Sequence, residues 1–182
     1  MEQAQVLTFL NNKDRDLLLQ FCGYSTTEPL HSFGPVVRPH YIIHFILNGK
    51  GIFQIREKTY HLETGQGFLI EPDELTFYQS DAQEPWEYLW IGFNGKMIPE
   101  FLKQIGLSSA HPIFHCDKKK ELYWLVNDML VHSKSNFSSD LRRTGLLYEF
   151  LSILALNPLE SDQQVDSEYM YINQAIEYIK NN

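Results

Sequence analysis

The sequence predicts a mainly β fold, an antiparallel barrel or jelly roll, with helices on its C-terminal side. Three observations predict it. Between Pro29 and Phe93, short runs rich in β-branched and aromatic residues alternate with turn residues. No helical pattern lies between these runs, which argues against a parallel βαβ sheet. After Gly95 the apolar period lengthens from two to three or four. The chain has 182 residues, 43% hydrophobic and 14% aromatic, enough to bury one core. Its 15 Lys and Arg against 23 Asp and Glu give a net charge of −8. A surface of that sign repels phosphate backbone, so these residues are not expected to grip nucleic acid by themselves. Mean hydropathy is −0.30 and no apolar run approaches a bilayer span, so no membrane association is expected. The start lacks a basic n-region, so no secretory signal is read. Cys22 and Cys116 lack metal-like spacing and read as free thiols in a reducing cytoplasm.

The elements follow in order. Residues 1–21 read as an N-terminal arm or, through Leu17-Leu18-Leu19, a fixed helix. Tyr41 to Leu47 is a strand, and Asn48-Gly49 supplies the positive φ values of a tight hairpin. The next strand, Ile52 to Arg56, is therefore expected to fold back on it. A turn at Glu57-Lys58 leads to Thr59 to Leu62; Gly65-Gln66-Gly67 opens Phe68 to Ile70, which Glu71-Pro72-Asp73-Glu74 stops. Leu75 to Gln79 and Trp86 to Phe93 are the last strands. Ile98, Phe101, Leu102 and Ile105 then form a helical stripe that Gly106 can end. Leu122, Leu125, Val126, Met129 and Leu130 form another. The strongest helix is 139–156, capped by Ser138 or Ser139 and ended by Asn157-Pro158. Its stripe of Leu147, Phe150, Leu151 and Leu154, widened by Leu146 and Ile153, is broader than one neighbour would cover. Residues 158–168 are polar and read as a linker. Residues 169–182 read as the first helix of a further domain.

Chemistry is sparse. His40 and His44 share a strand face about 13 Å apart, too far to hold one ion. His111 and His115 flank a proline, and no metal site is expected. No Gly-x-Ser-x-Gly elbow is present, and neither cysteine has an activating neighbour. Lys118-Lys119-Lys120 reads as a solvated run. Aromatic crowding is the informative feature. Alternation puts Trp86, Tyr88 and Trp90 on one strand face, and Leu89, Ile91 and Phe93 on the other. The second face reads as packed core. The first suits a sugar ring, which offers C–H groups for stacking and a rim of hydroxyls for directional partners. Arg38, just before the first strong strand, carries a planar fork of donors fit for two hydroxyls or a carboxylate. The other reading of the three rings is barrel filling. His44 faces with Ile42 and Ile46 and reads as a hydrogen-bonded core histidine.

The segments Arg38-Pro39-His40-Tyr41-Ile42-Ile43-His44-Phe45, Asn48-Gly49-Lys50-Gly51, Gly65 to Pro72 and Pro85 to Gly95 occur in a characteristic order. Together they resemble the effector-binding domain of AraC-type transcription regulators, in the branch controlling raffinose, melibiose and multiple-sugar metabolism in Gram-positive bacteria. The resemblance covers Cys22 to Leu156. It implies a cupin-like barrel, a double-stranded jelly roll, over residues 22–95 that holds a small sugar. It implies a helical region over 96–157 whose helix 139–156 dimerises, and makes 169–182 the start of a helix-turn-helix DNA-binding domain. Position by position, Arg38 matches a sugar-binding arginine. Tyr78, Tyr88 and Trp90 fall where a tyrosine, a histidine and a stacking tryptophan act, with Tyr88 departing from the histidine. His40 is a further ligand candidate beside Arg38. Leu147, Phe150, Leu151 and Leu154 become the dimer contacts.

The expectation is thus a cytoplasmic sugar sensor and homodimer without cofactor, metal or catalytic residues. DNA would be bound only by a C-terminal domain, and residues 1–20 could fold over the ligand. Two rivals remain: a cupin-type metal-dependent enzyme, and a ligand-free dimerisation module.

Overall fold

The structure is a computed structural model that describes residues 3–8 and 15–156. Among these residues ten strands and three helices are formed: β1 (Gln3–Thr8), β2 (Leu18–Thr26), β3 (Ser32–Val37), β4 (Tyr41–Asn48), β5 (Lys50–Ile55), β6 (Lys58–Glu63), β7 (Gln66–Ile70), β8 (Leu75–Ser80), β9 (Glu87–Asn94), α1 (Ile98–Ile105), β10 (Ile113–His115), α2 (Lys119–Val131) and α3 (Phe137–Ala155). Among the described residues the strands make a six-stranded sheet, β1-β2-β9-β4-β7-β10, and a four-stranded sheet, β3-β8-β5-β6. Every neighbouring pair is antiparallel. The fold class is the expected jelly roll with C-terminal helices, in two sheets rather than one closed barrel.

Three layers result. One cluster lies between the sheets: Ile42, Ile46, Phe68, Ile70 and Tyr88 from the larger, Phe53, Ile55, Leu62 and Tyr78 from the smaller, with Trp86 beside them. The other joins the outer face of the larger sheet, including Ile43, Phe45, Leu89, Ile91 and Phe93, to all three helices. β4 and β9 therefore bury both faces, which is why Ile42 to Leu47 reads as an unbroken buried run. The expected division of Trp86, Tyr88 and Trp90 from Leu89, Ile91 and Phe93 holds.

The hairpin expected at Asn48-Gly49 does not form. β4 belongs to the larger sheet and β5 to the smaller, so the chain crosses between layers there. Gly49 has φ +85°, and a Cβ on it would lie 2.3 Å from the Pro85 carbonyl oxygen. The glycine serves a tight corner under the chain entering β9. A two-residue hairpin does occur at Arg56-Glu57, with Ile55 opposite Lys58 and Arg56 at φ +55°.

Among the described residues of the N-terminal side there is no helix, and strand structure begins before residue 22. Residues 3–8 and 18–26 are paired strands, and Leu17 and Leu19 are buried in the core. A bulge at Gln20 shifts the register between Leu19 and Phe21, so apolar alternation breaks inside β2 and hides the strand. The region after residue 95 also contains β10, which extends the larger sheet beside β7. α1 ends as expected at Gly106, which is left-handed at φ 84°. α3 is capped by Asn136 rather than Ser138 or Ser139: the Asn136 side chain accepts from the Ser139 backbone N–H at 2.9 Å. The expected linker at 158–168 and the helix at 169–182 lie outside the described residues, as do residues 1–2 and 9–14.

Candidate ligand-binding site

The space between the sheets has two ends. At one end β3 and β9 finish and β4 begins, which brings Arg38, His40 and Asn94 to the same rim. The Arg38 guanidinium lies 4.0 Å above the Phe33 ring. Phe33 faces Tyr78 across the β3–β8 ladder and stacks on it at 5.8 Å. Tyr78 reaches Tyr88 at 6.2 Å, and Tyr88 reaches Trp90 at 5.3 Å. Four of the five expected ligand residues, Arg38, Tyr78, Tyr88 and Trp90, thus belong to one series of ring contacts. Phe33 joins them, and no sequence pattern marked it.

His40 stands apart from that series. Its ring meets Phe21 edge-on at 5.7 Å, and its Nδ1 is 2.8 Å from the Asn94 side-chain nitrogen, which donates to it. Phe21 lies over Gly92, where a Cβ would come within 2.1 Å of the phenyl ring. Phe21 and Asn94 were not legible as site residues because each is set by cross-strand register rather than by spacing along one strand.

Depth divides the cluster. Tyr78 and Tyr88 are each 5% exposed and Trp86 1%. Around them Phe53 stacks on Phe68 at 4.2 Å and His44 on Phe68 at 4.6 Å, so this inner part is packed ring on ring. Arg38, His40, Phe21 and Trp90 are half-buried. Trp86 is barrel filling: its indole occupies the space in front of Gly51, 2.5 Å from where a Cβ would stand. Trp90, by contrast, keeps part of its indole exposed.

His44 is inward-facing as expected, but it is not hydrogen-bonded at Nδ1, which has no partner among the described residues. Burial, and then the nearby Arg38 charge, hold its pKa well below the ordinary histidine value, so the ring is neutral. The Trp86 indole nitrogen is likewise buried without a partner among the described residues.

A separate open groove of about 450 Å³ lies at the opposite end, lined in part by Lys50, Ile52, His61, Gln79 and Asp81. It contains none of the expected residues. Its charges are largely self-satisfied, Lys50 on Glu84 at 2.7 Å and Asp81 on the backbone N–H groups of Gln83 and Glu84.

Among the described residues no three His, Cys, Asp or Glu side chains group where they could hold a metal ion. Cys22 and Cys116 are both free and buried, and burial raises both thiols, Cys22 to about 12. Neither has the thiolate character of a nucleophile. No described helix is long and apolar enough to cross a membrane.

The four expected dimer contacts lie on the inward face of α3. Leu147, Phe150, Leu151 and Leu154 are at most 5% exposed within the single chain. Their stripe is broad because α1, α2 and β2 all pack on α3.

Three relatives resemble the chain. The Msm operon regulatory protein of Streptococcus mutans is 36% identical over 87% of this chain and 58% of its own length. The lactose operon transcription activator of Staphylococcus xylosus is 29% identical over 92% and 61%. The raffinose operon transcriptional regulatory protein of Pediococcus pentosaceus is 25% identical over 95% and 64%. The chain therefore spans about three-fifths of the length of the relatives it matches. The model of the AraC-like ligand binding domain matches residues 18–151. That match takes in every element but β1 and the last turn of α3, and by it the chain belongs to the AraC-like ligand binding domain family.

Proposed function

We propose that this chain is the effector-sensing part of a transcription regulator that responds to a small saccharide, and that it is not an enzyme. The observation that carries the reading is the half-buried Trp90, joined through Tyr88 and Tyr78 to the Phe33–Arg38 pair. An indole face takes the C–H side of a sugar ring, and the guanidinium takes vicinal hydroxyls. Relatives named for lactose and raffinose operons support the choice of a saccharide. Binding at the Arg38 end redistributes two arrangements of the protein by differential affinity. DNA is read by a further domain, in keeping with the greater length of the relatives, and the setting is the cytoplasm. The regulator acts as a homodimer, with the outward face of α3 as its contact.

The test is thermal unfolding in the presence of raffinose, melibiose, lactose and glucose. A saccharide at a hundred times its dissociation constant adds about 2.7 kcal/mol, a rise of several degrees. Trp90→Ala removes that rise. If none of the sugars moves the midpoint, the sensor reading fails. A ligand-free module then stands, a reading that the close packing of Tyr78, Tyr88 and Trp86 favours.

A further inference from the structure

We infer that Nδ1 of His44 is completed by a hydroxyl of the bound effector, so that His44 reads one hydroxyl at the floor of the Arg38 end. This rests on the saccharide reading above. His44 lies on β4 opposite Trp90 on one side and Phe68 on the other. Its ring is parallel to Phe68 at 4.6 Å, with Tyr78 at 5.0 Å and Tyr88 at 5.7 Å. The residue is 2% exposed, and its Nδ1 has no partner among the described residues. Buried polar atoms are nearly always paired, and an exception in a folded protein calls for a reason. Packing is not that reason. Ile42 and Ile46 flank His44 on the same face, and a phenyl or isobutyl group would fill this place without an unpaired nitrogen.

The class of partner follows from the surroundings. The rings that pack on the imidazole are Phe68, Tyr78 and Tyr88, and the charge that reaches it is that of Arg38. The imidazole is neutral, so it presents one donor and one acceptor. An alcohol hydroxyl both donates and accepts, and pairs with either tautomer. An ammonium group is repelled by Arg38, whose charge reaches His44, and a carboxylate is drawn to Arg38 instead of the ring. A sugar whose hydroxyl points away leaves Nδ1 unpaired and binds less tightly, which makes the position a discriminator between epimers.

His44→Phe keeps the stack on Phe68 and removes the unpaired nitrogen. Its melting midpoint without sugar is expected to equal or exceed that of the wild type. Its affinity for raffinose, melibiose or lactose, by titration calorimetry, is expected to fall at least tenfold. A smaller change where the wild type binds overturns the role of His44 and leaves the saccharide reading intact. A wild type that binds none of the three overturns both. A second measurement does not depend on the variant's folding. In wild-type protein labelled with ¹⁵N-histidine, the His44 imidazole is expected to be neutral at pH 7, because burial disfavours its charged form. Its Nδ1 resonance is expected to move on adding melibiose, lactose or raffinose. An unmoved resonance in protein that demonstrably binds the sugar overturns the assignment.

Discussion

Cys22 sits on β2 with no exposed surface, and desolvation pushes its thiol up to about 12, with Arg143 pulling weakly the other way. In the unfolded chain the thiol ionises near its ordinary value of 9.0. Between those values the unfolded state loses a proton that the folded state keeps, so stability is whole below pH 9 and falls as pH rises towards 12. The expected slope from this group is about 1.4 kcal/mol per pH unit. Urea midpoints at pH 8 and pH 10.5 check it: the drop is expected to be smaller in Cys22→Ala, and an equal drop refutes the assignment. The same residue shows where sequence reasoning reaches its limit. Cys22 is legible as a free thiol, but its surroundings come from α3, far along the chain. The alternation that sorts Trp86, Tyr88 and Trp90 onto one face is equally legible. What separates a filled Trp86 from an accessible Trp90 is distance along the roll, which Gly51 and the register with β4 decide.

Elements were most legible where a single local signal decides them. Gly106 ends α1 because a left-handed residue satisfies the last carbonyls, and its backbone N–H donates to Leu102 and Lys103. Asn48-Gly49 misled because the same positive φ that closes a hairpin also turns a corner between sheets. β2 was hidden by its bulge and by burial on both faces. The cap of α3 is a finer case, since Asn136, Ser138 and Ser139 all have capping side chains. Only Asn136 has extended backbone, with φ −147° and ψ 162°, and accepts the Ser139 N–H. Asn136→Ala is expected to lower stability by about 1 kcal/mol, while Ser138→Ala, exposed within the first turn, changes it little. Chemical denaturation of the two variants checks this; equal losses would move the cap back to the serines.

At the scale of the whole molecule, helices, large sheet and small sheet stack so that both faces of the larger sheet are covered. That layering consumes the inner stripe of α3 and leaves its outer face bare. Phe137, Leu141 and Tyr148 are exposed and fall within about 40° of one another at 100° per residue. Gly145 lies at the edge of this stripe, about 40° beyond Leu141, and nothing stands within 4 Å of where its Cβ would be. Beside this stripe Arg142 binds Asp128, tying α3 to α2, where Trp124 and Val131 are also exposed. A helix face with exposed large apolar groups flanked by a bare glycine suits close, self-complementary contact with the same face of a second copy. The double variant Leu141→Asp, Tyr148→Asp is expected to raise the dimer dissociation constant at least a hundredfold, about 2.7 kcal/mol, without changing the fold. Leu151→Asp, by contrast, places a charge in the core and is expected to unfold the chain rather than separate two intact copies. Sedimentation velocity and circular dichroism distinguish these outcomes. A wild type that sediments as a monomer at tens of micromolar, or a double variant that still dimerises, removes this face from the interface.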